Sequence, residues 1–252
     1  LERRLIDVAA RYFTGEEEIA RTYFDSPRRS AETDRLWLRR QCYKEIWGSG
    51  VGDAKRGLFL NDVALLSDVF PRIDREIDRH AVLASIDNLR TEFSHYCLFA
   101  DIHDSLGADR LDPQGLESWP ADRELARLRY DCRRRLGRRG DRIVRFTEGG
   151  GGGMYLAGMK LEGRSELDDR IARACEQVYR DEIGHMRAGQ RELEREEIGS
   201  GGWSEVVAAI RAILLQRLQM RNEQFGCPVP ADRIHAIDAG EIRAPPDGGR
   251  RE

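Results

Sequence analysis

Apolar residues recur at three- and four-residue intervals along nearly the whole chain, and alternating Val/Ile/Thr runs between turn residues are almost absent. Helices are therefore expected and strands are not. The first helical region reads from Leu1 to about Phe24, broken near Gly15 and closed by Asp25-Ser26-Pro27. A second runs from about Ala31 to Trp47 and ends at Gly48-Ser49-Gly50; a third covers Asp53 to Phe70, where Pro71 stops or kinks it. A long fourth helix follows from roughly Arg72 to Asp104, and residues 105–120, with Gly107, Pro113, Gly115 and Pro120, read as a connector. Helix resumes at Ala121, weakens at Gly137 and Gly140, continues toward Glu148 and is interrupted by the five glycines Gly149 to Gly153. Ser165 opens another long helix to about Glu197, which Gly199 to Gly202 close. A last amphipathic helix runs from Ser204 to Phe225, with Val206, Ile210, Ile213 and Leu214 on one side. The tail from Cys227, rich in Pro, Gly and charge, is expected to wrap the surface or fray. The pattern predicts one all-α domain over residues 1–252.

Composition narrows the class. At 40% hydrophobic the chain can fill a core despite being 35% charged, so wholesale disorder is not expected. Lys and Arg number 42 against 45 Asp and Glu, a net charge of -3, which argues against a general polyanion binder and makes nucleic acid an unexpected partner. No apolar run approaches the roughly eighteen residues of a spanning helix. The N-terminal stretch carries Glu16, Glu17 and Glu18 and lacks the apolar core of a secretion signal. Five widely spaced cysteines without a C-x-x-C pair exclude a four-cysteine metal site and suit a reducing compartment, so a cytoplasmic location is expected.

The chemistry concentrates in two Glu-x-x-His elements, Glu92-Phe93-Ser94-His95 and Glu182-Ile183-Gly184-His185, each in the middle of a long predicted helix. Spacing i, i+3 sets a carboxylate and an imidazole one above the other on a single helix face. Both faces look buried, with Leu89, Tyr96 and Phe99 around the first and Val178, Tyr179 and Met186 around the second. A buried carboxylate is costly unless it is paired or bound to metal. One such element is ordinary in a Glu-rich helical chain and reads as an exposed ion pair; two, each preceded by an Arg at the same offset (Arg90 and Arg180), suggest duplicated cation ligands.

On these two elements the chain resembles the ferritin-like di-iron carboxylate superfamily across residues 53–197. The resemblance implies a ferritin-like four-helix bundle, with extra N-terminal helices over 1–50, a C-terminal helix over 203–226 and a surface tail over 227–252. It also implies one further carboxylate ahead of each Glu-x-x-His, at equal height on an antiparallel partner helix. Glu148 precedes Glu182 by thirty-four positions, and the midpoint Ser165 reads as a turn and N-cap. Asp62 precedes Glu92 by thirty positions and is surrounded at helical spacing by Leu58, Phe59, Leu65, Leu66 and Val69. Its midpoint, Ile77, lies in a segment that reads as helical, so Glu45 stands as the alternative ligand. The implied metal set is Asp62, Glu92, His95, Glu148, Glu182 and His185, holding two Fe ions, with Mn an acceptable substitute. Four carboxylates, about -4, then balance two divalent cations, about +4.

The resemblance further implies an oxygenase or oxidase that uses dioxygen to hydroxylate, desaturate or N-oxygenate a small organic substrate, which can be anionic or carrier-bound. No nucleotide fingerprint is present, so electrons are expected from a separate donor or from the substrate, and a homodimer is expected. Two other readings remain open: an iron-oxidising or peroxide-scavenging protein of the ferritin and rubrerythrin type, and a metal-free helical interaction module. Five glycines inside a helix cost on the order of 4–5 kcal/mol relative to alanine; they form a flexible loop or open space for dioxygen beside Glu148. The ten arginines from Arg123 to Arg145 form a solvated, ion-paired face or a dock for an anionic partner. His80, His103 and His235 are expected in surface or capping roles, and Tyr96, Tyr155 and Tyr179 in the core or lining a pocket.

Overall fold

The computed structural model describes residues 2–48, 57–107, 109–148, 151–195 and 200–242. Among them the chain is all-helical, as the pattern predicts, apart from an isolated bridge between Ile73 and Ile77. The helices are α1 (Glu2–Phe24), α2 (Ala31–Trp47), α3 (Gly57–Val69), α4 (Arg79–Ser105), α5 (Pro120–Leu136), α6 (Arg138–Glu148), α7 (Gly151–Met159), α8 (Glu166–Glu194), α9 (Ser200–Gln224) and α10 (Ala231–Asp238). Their contacts group the chain into two compact units, Ser30–Tyr130 and the discontinuous pair Leu1–Arg29 with Asp131–Glu252.

In the unit Ser30–Tyr130, a capping box opens α2: Thr33 N–H donates to the Ser30 hydroxyl at 3.3 Å, and Ser30 N–H donates to Thr33 Oγ1 at 2.9 Å. Trp37, Leu38 and Cys42 form the buried face of α2. Trp37 meets Phe99 of α4 with ring centroids 6.2 Å apart, so α2 and α4 run antiparallel with their C-terminal and middle turns facing. Helix α3 also packs on α4, where Phe59 lies 5.1 Å from the Phe93 ring. The fourth helix begins at Arg79, seven residues later than its apolar pattern suggests. Pro71 sits in a 3-10 turn over Phe70–Arg72, Asp74 takes a left-handed φ of 60°, and the Asp78 carboxylate caps α4 by accepting from His80 and Ala81 N–H. Beyond α4, Asp104 accepts from Leu111 N–H at 2.8 Å, and Trp47 Nε1 donates to the Pro113 carbonyl at 3.0 Å; these bonds draw the connector along the unit.

In the discontinuous unit, α1 packs against α7 and α9, and α8 against α6 and α7. Helix α1 runs through Gly15 without a break. That glycine admits neighbours: a Cβ there would meet Ile237 Cγ2 at 2.8 Å. Gly153 does the same for α7, since a Cβ would overlap the Phe13 carbonyl of α1. The predicted continuous helix over 121–148 divides at Gly137, whose φ of 55° is left-handed, into α5 and α6. Helix α9 starts at Ser200, so Gly201 and Gly202 belong to its first turn and do not close its predecessor. The tail does not simply fray: α10 buries Ile234 and Ile237, and Tyr12 of α1 donates its hydroxyl to Asp238.

This unit also buries charge. Glu16 is 1% exposed, and its carboxylate accepts from Arg217 Nε at 2.8 Å and Arg221 Nε at 3.3 Å. Glu18 accepts two bonds from Arg233, both 2.7 Å. Glu16 lies on the stripe Tyr12, Glu16, Ile19, Tyr23 of α1, so its carboxylate is carried into the core by the same periodicity that buries the aromatics.

Candidate metal centre

The antiparallel register of α2 and α4 brings Glu45, in the last turn of α2, beside Glu92 and His95 in the middle of α4. One ligand atom from each of the three lies within 4.8 Å of the others. His95 Nδ1 stands 3.9 Å from Glu45 Oε2 and 4.0 Å from Glu92 Oε2. Both separations exceed a hydrogen bond. They match the spacing of donors that share one cation, since two ligands about 2.1 Å from an ion lie roughly 3–4 Å apart. The side chain of His95 is fully buried, that of Glu45 is 7% exposed and that of Glu92 16%. Two carboxylates and an imidazole at this spacing, two of the three buried and Glu92 partly open to water, suit a divalent transition metal, and the donor set fits iron, manganese or zinc.

Neighbouring residues hold the group in place. The buried Gln41, one turn before Glu45, donates its side-chain N–H to Glu45 Oε1 and so leaves Oε2 toward His95. Trp37 donates to Asp34 at 2.8 Å within the same buried face of α2. Burial, with Glu45 adding its negative charge, pushes the Cys42 thiol well above its ordinary pKa, so it stays protonated beside the acids.

Of the six residues expected as ligands, Glu92 and His95 join this group and the alternative Glu45 completes it. Asp62 does not belong to it. It lies on α3 and lines a groove of about 390 Å³ with Leu65, Leu66, Val69, Ile77 and Val82, among others. Burial alone raises its pKa. Glu148 ends α6 and Glu182 lies on α8, two helices that pack together; both residues are half-buried. Burial works against the charge of Arg217, but Glu16, Glu148 and Tyr155 outweigh it and raise its pKa, so Glu148 sits in the field of a buried guanidinium. His185 belongs to α8, and its side chain lies outside the described residues, as do Gly149 and Gly150.

Much of the arginine run is ion-paired. Arg133 meets Asp141 at 3.2 Å, Arg135 meets Glu205 at 3.5 Å, and Arg142 and Arg145 share Glu192 at 3.8 and 3.4 Å. His80 and His235 are exposed as expected, but His103 is buried, its Nδ1 3.0 Å from Asp104 Oδ1. Among the described residues no helix is long and apolar enough to cross a membrane. Comparison with protein-family models, curated proteins and solved structures finds no match.

Proposed function

We propose that the protein is a non-haem iron oxidoreductase that uses dioxygen to oxidise a small organic substrate. The observation that carries this reading is the buried convergence of Glu45, Glu92 and His95 on one cation-sized space. Glu148 and Glu182, with His185 on the same helix as Glu182, offer a second set of the same residue types. The repeated Glu-x-x-His supports the likeness to di-iron carboxylate proteins, and with it the count of two irons.

Iron supplies, when bound, the ability to reduce dioxygen. A hydroxylation then balances as substrate, O2, two electrons and two protons giving hydroxylated substrate and water. The chain's own residues do the rest. Glu45 and Glu92 would provide oxygens that offset a divalent charge, and His95 would provide a nitrogen donor through Nδ1. Gln41 fixes the rotamer of Glu45. Trp37 and Phe99, both buried and in ring contact, keep the α2–α4 contact dry beyond His95. Burial, with Cys42 and Cys97 adding to it, raises the Tyr96 pKa to about 12, so the residue beside His95 remains a neutral phenol. Electrons come from a separate donor or from the substrate.

Metal analysis of protein purified without chelator, followed by stopped-flow absorbance after the ferrous form meets dioxygen, tests the reading. About two irons per chain and a transient absorbance with oxygen consumption are expected. Protein that takes up no iron, or ferrous protein inert to oxygen, would overturn it.

A further inference from the structure

Large apolar side chains are exposed unevenly along this chain. Of the eleven large hydrophobic residues exposed among the described residues, seven fall between positions 60 and 93: Leu60, Val63, Leu65, Phe70, Leu83, Ile86 and Phe93. All belong to the hairpin of α3, its 3-10 turn and α4. Helix α3 reads Gly-Leu-Phe-Leu-Asn-Asp-Val-Ala-Leu-Leu-Ser-Asp-Val, so one apolar flank can lie on α4 while another is left over. A helix apolar on more than one side requires cover on more than one side. Leu83, Ile86 and Phe93 form a stripe at i, i+3 and i+10 on α4 and stay 41–53% exposed.

We propose that the α3–α4 hairpin is the interface of a homodimer, packed against the same hairpin of a second copy. Three observations select a second copy over another occupant. The first is area: with about 150–250 Å² for an aromatic side chain and somewhat less for an aliphatic one, the seven exposed fractions together approach the ~800 Å² per partner of a standard stable interface. That is more than a small ligand needs and beyond the few hundred Å² a monomer ordinarily leaves open. The second is self-complementarity. Phe70, 75% exposed, is a projecting knob, and the groove of about 390 Å³ between α3 and α4 is a hole on the same hairpin, the combination that an isologous contact requires. The third is the lining: Leu65, Leu66, Val69, Ile77 and Val82 carry no charge, so an acidic partner finds no complement in the groove, and a basic one finds the single carboxylate of Asp62, where an uncharged apolar surface finds the rest. Two helical hairpins face to face bury such surfaces as a bundle.

The proposal is independent of the iron reading, and sedimentation velocity of the full chain, with and without iron, tests it. The wild type is expected at twice 28.8 kDa at micromolar concentration. Leu65→Glu and Phe70→Glu, which alter exposed positions and so keep the helical circular dichroism, are expected to weaken association at least a hundredfold and run as monomers. Asp62→Asn removes the one charge that dimerisation would desolvate and is expected to tighten the dimer several-fold. A monomeric wild type overturns the proposal, whether the groove then takes an apolar dye or a different protein. A dimer that survives both glutamate variants overturns it equally.

Discussion

Glu45 is held by two different demands. Its carboxylate accepts a hydrogen bond from Gln41 on one oxygen and turns the other toward His95, so the side chain is kept in one orientation. Replacing Glu45 by alanine is expected to lower iron affinity more than tenfold. Gln41→Leu keeps the ligands but frees the Glu45 rotamer and is expected to cost about 10–100-fold; chelator-competition titration measures both. The Glu16 cluster makes a separate prediction. Glu16→Ala strands Arg217 and Arg221 in the core and is expected to destabilise the protein by about 3–5 kcal/mol, read from urea unfolding. Asp62 gives a pH dependence. Its folded pKa lies above the ordinary 3.8, so ionising it costs stability; the penalty is absent below 3.8, grows as pH rises through the folded value, and is complete at neutral pH. Asp62→Asn is therefore expected to raise Tm at pH 7, with the advantage shrinking toward pH 4, and an unchanged difference between the two pH values would refute the assignment. Glu92 and His95 were legible in the sequence because i, i+3 spacing is a local property of one helix. Glu45 was legible only as an alternative, since its position depends on which helix α4 chooses as partner.

That choice belongs to the elements. Equal height on consecutive hairpin helices points to Asp62, and α3 does pack antiparallel to α4, with Phe59 beside Phe93. The wider contact of α4, however, is with α2, whose Trp37, Leu38 and Cys42 supply a larger buried face than α3 does. The more extensive packing outranks adjacency in the chain, and the carboxylate that joins Glu92 and His95 comes from the helix with that packing. Helix positions were otherwise largely readable from periodicity, and the departures have local causes. Asp78 caps α4 more strongly than Arg72 could start it, and Gly137 takes a left-handed φ that splits α5 from α6. Gly15 and Gly153 act by close approach of α10 and α1, a tertiary reason that no local pattern announces. Gly153→Val is expected to force α7 off α1 at about 1–3 kcal/mol or more, a fall of several degrees in Tm for a chain of this length, checked by thermal denaturation. Helix α10 escaped the sequence reading because eight residues hold barely two turns of periodicity.

At the scale of the molecule, the chain leaves one unit after Arg29, builds Ser30–Tyr130, and returns from Asp131 to complete the first. The N-terminal helix is thus part of a core formed mostly by the last half of the sequence, contributing Leu5, Ala9, Tyr12 and Ile19. The grouping into two units was not legible beforehand, because it depends on long-range pairing of α1 with α7 and α9. Each unit carries one Glu-x-x-His helix, and binding of divalent iron is expected to raise Tm, since cations that bind only the folded donors stabilise it by mass action. The central claim, that Glu45, Glu92 and His95 hold a metal ion, is tested most directly by the iron content of three proteins after anaerobic loading and desalting: wild type, Glu45→Ala and Asp62→Asn. About two irons per chain are expected in the wild type and in Asp62→Asn, with a clear loss in Glu45→Ala. Iron retained in Glu45→Ala but lost from Asp62→Asn would contradict it.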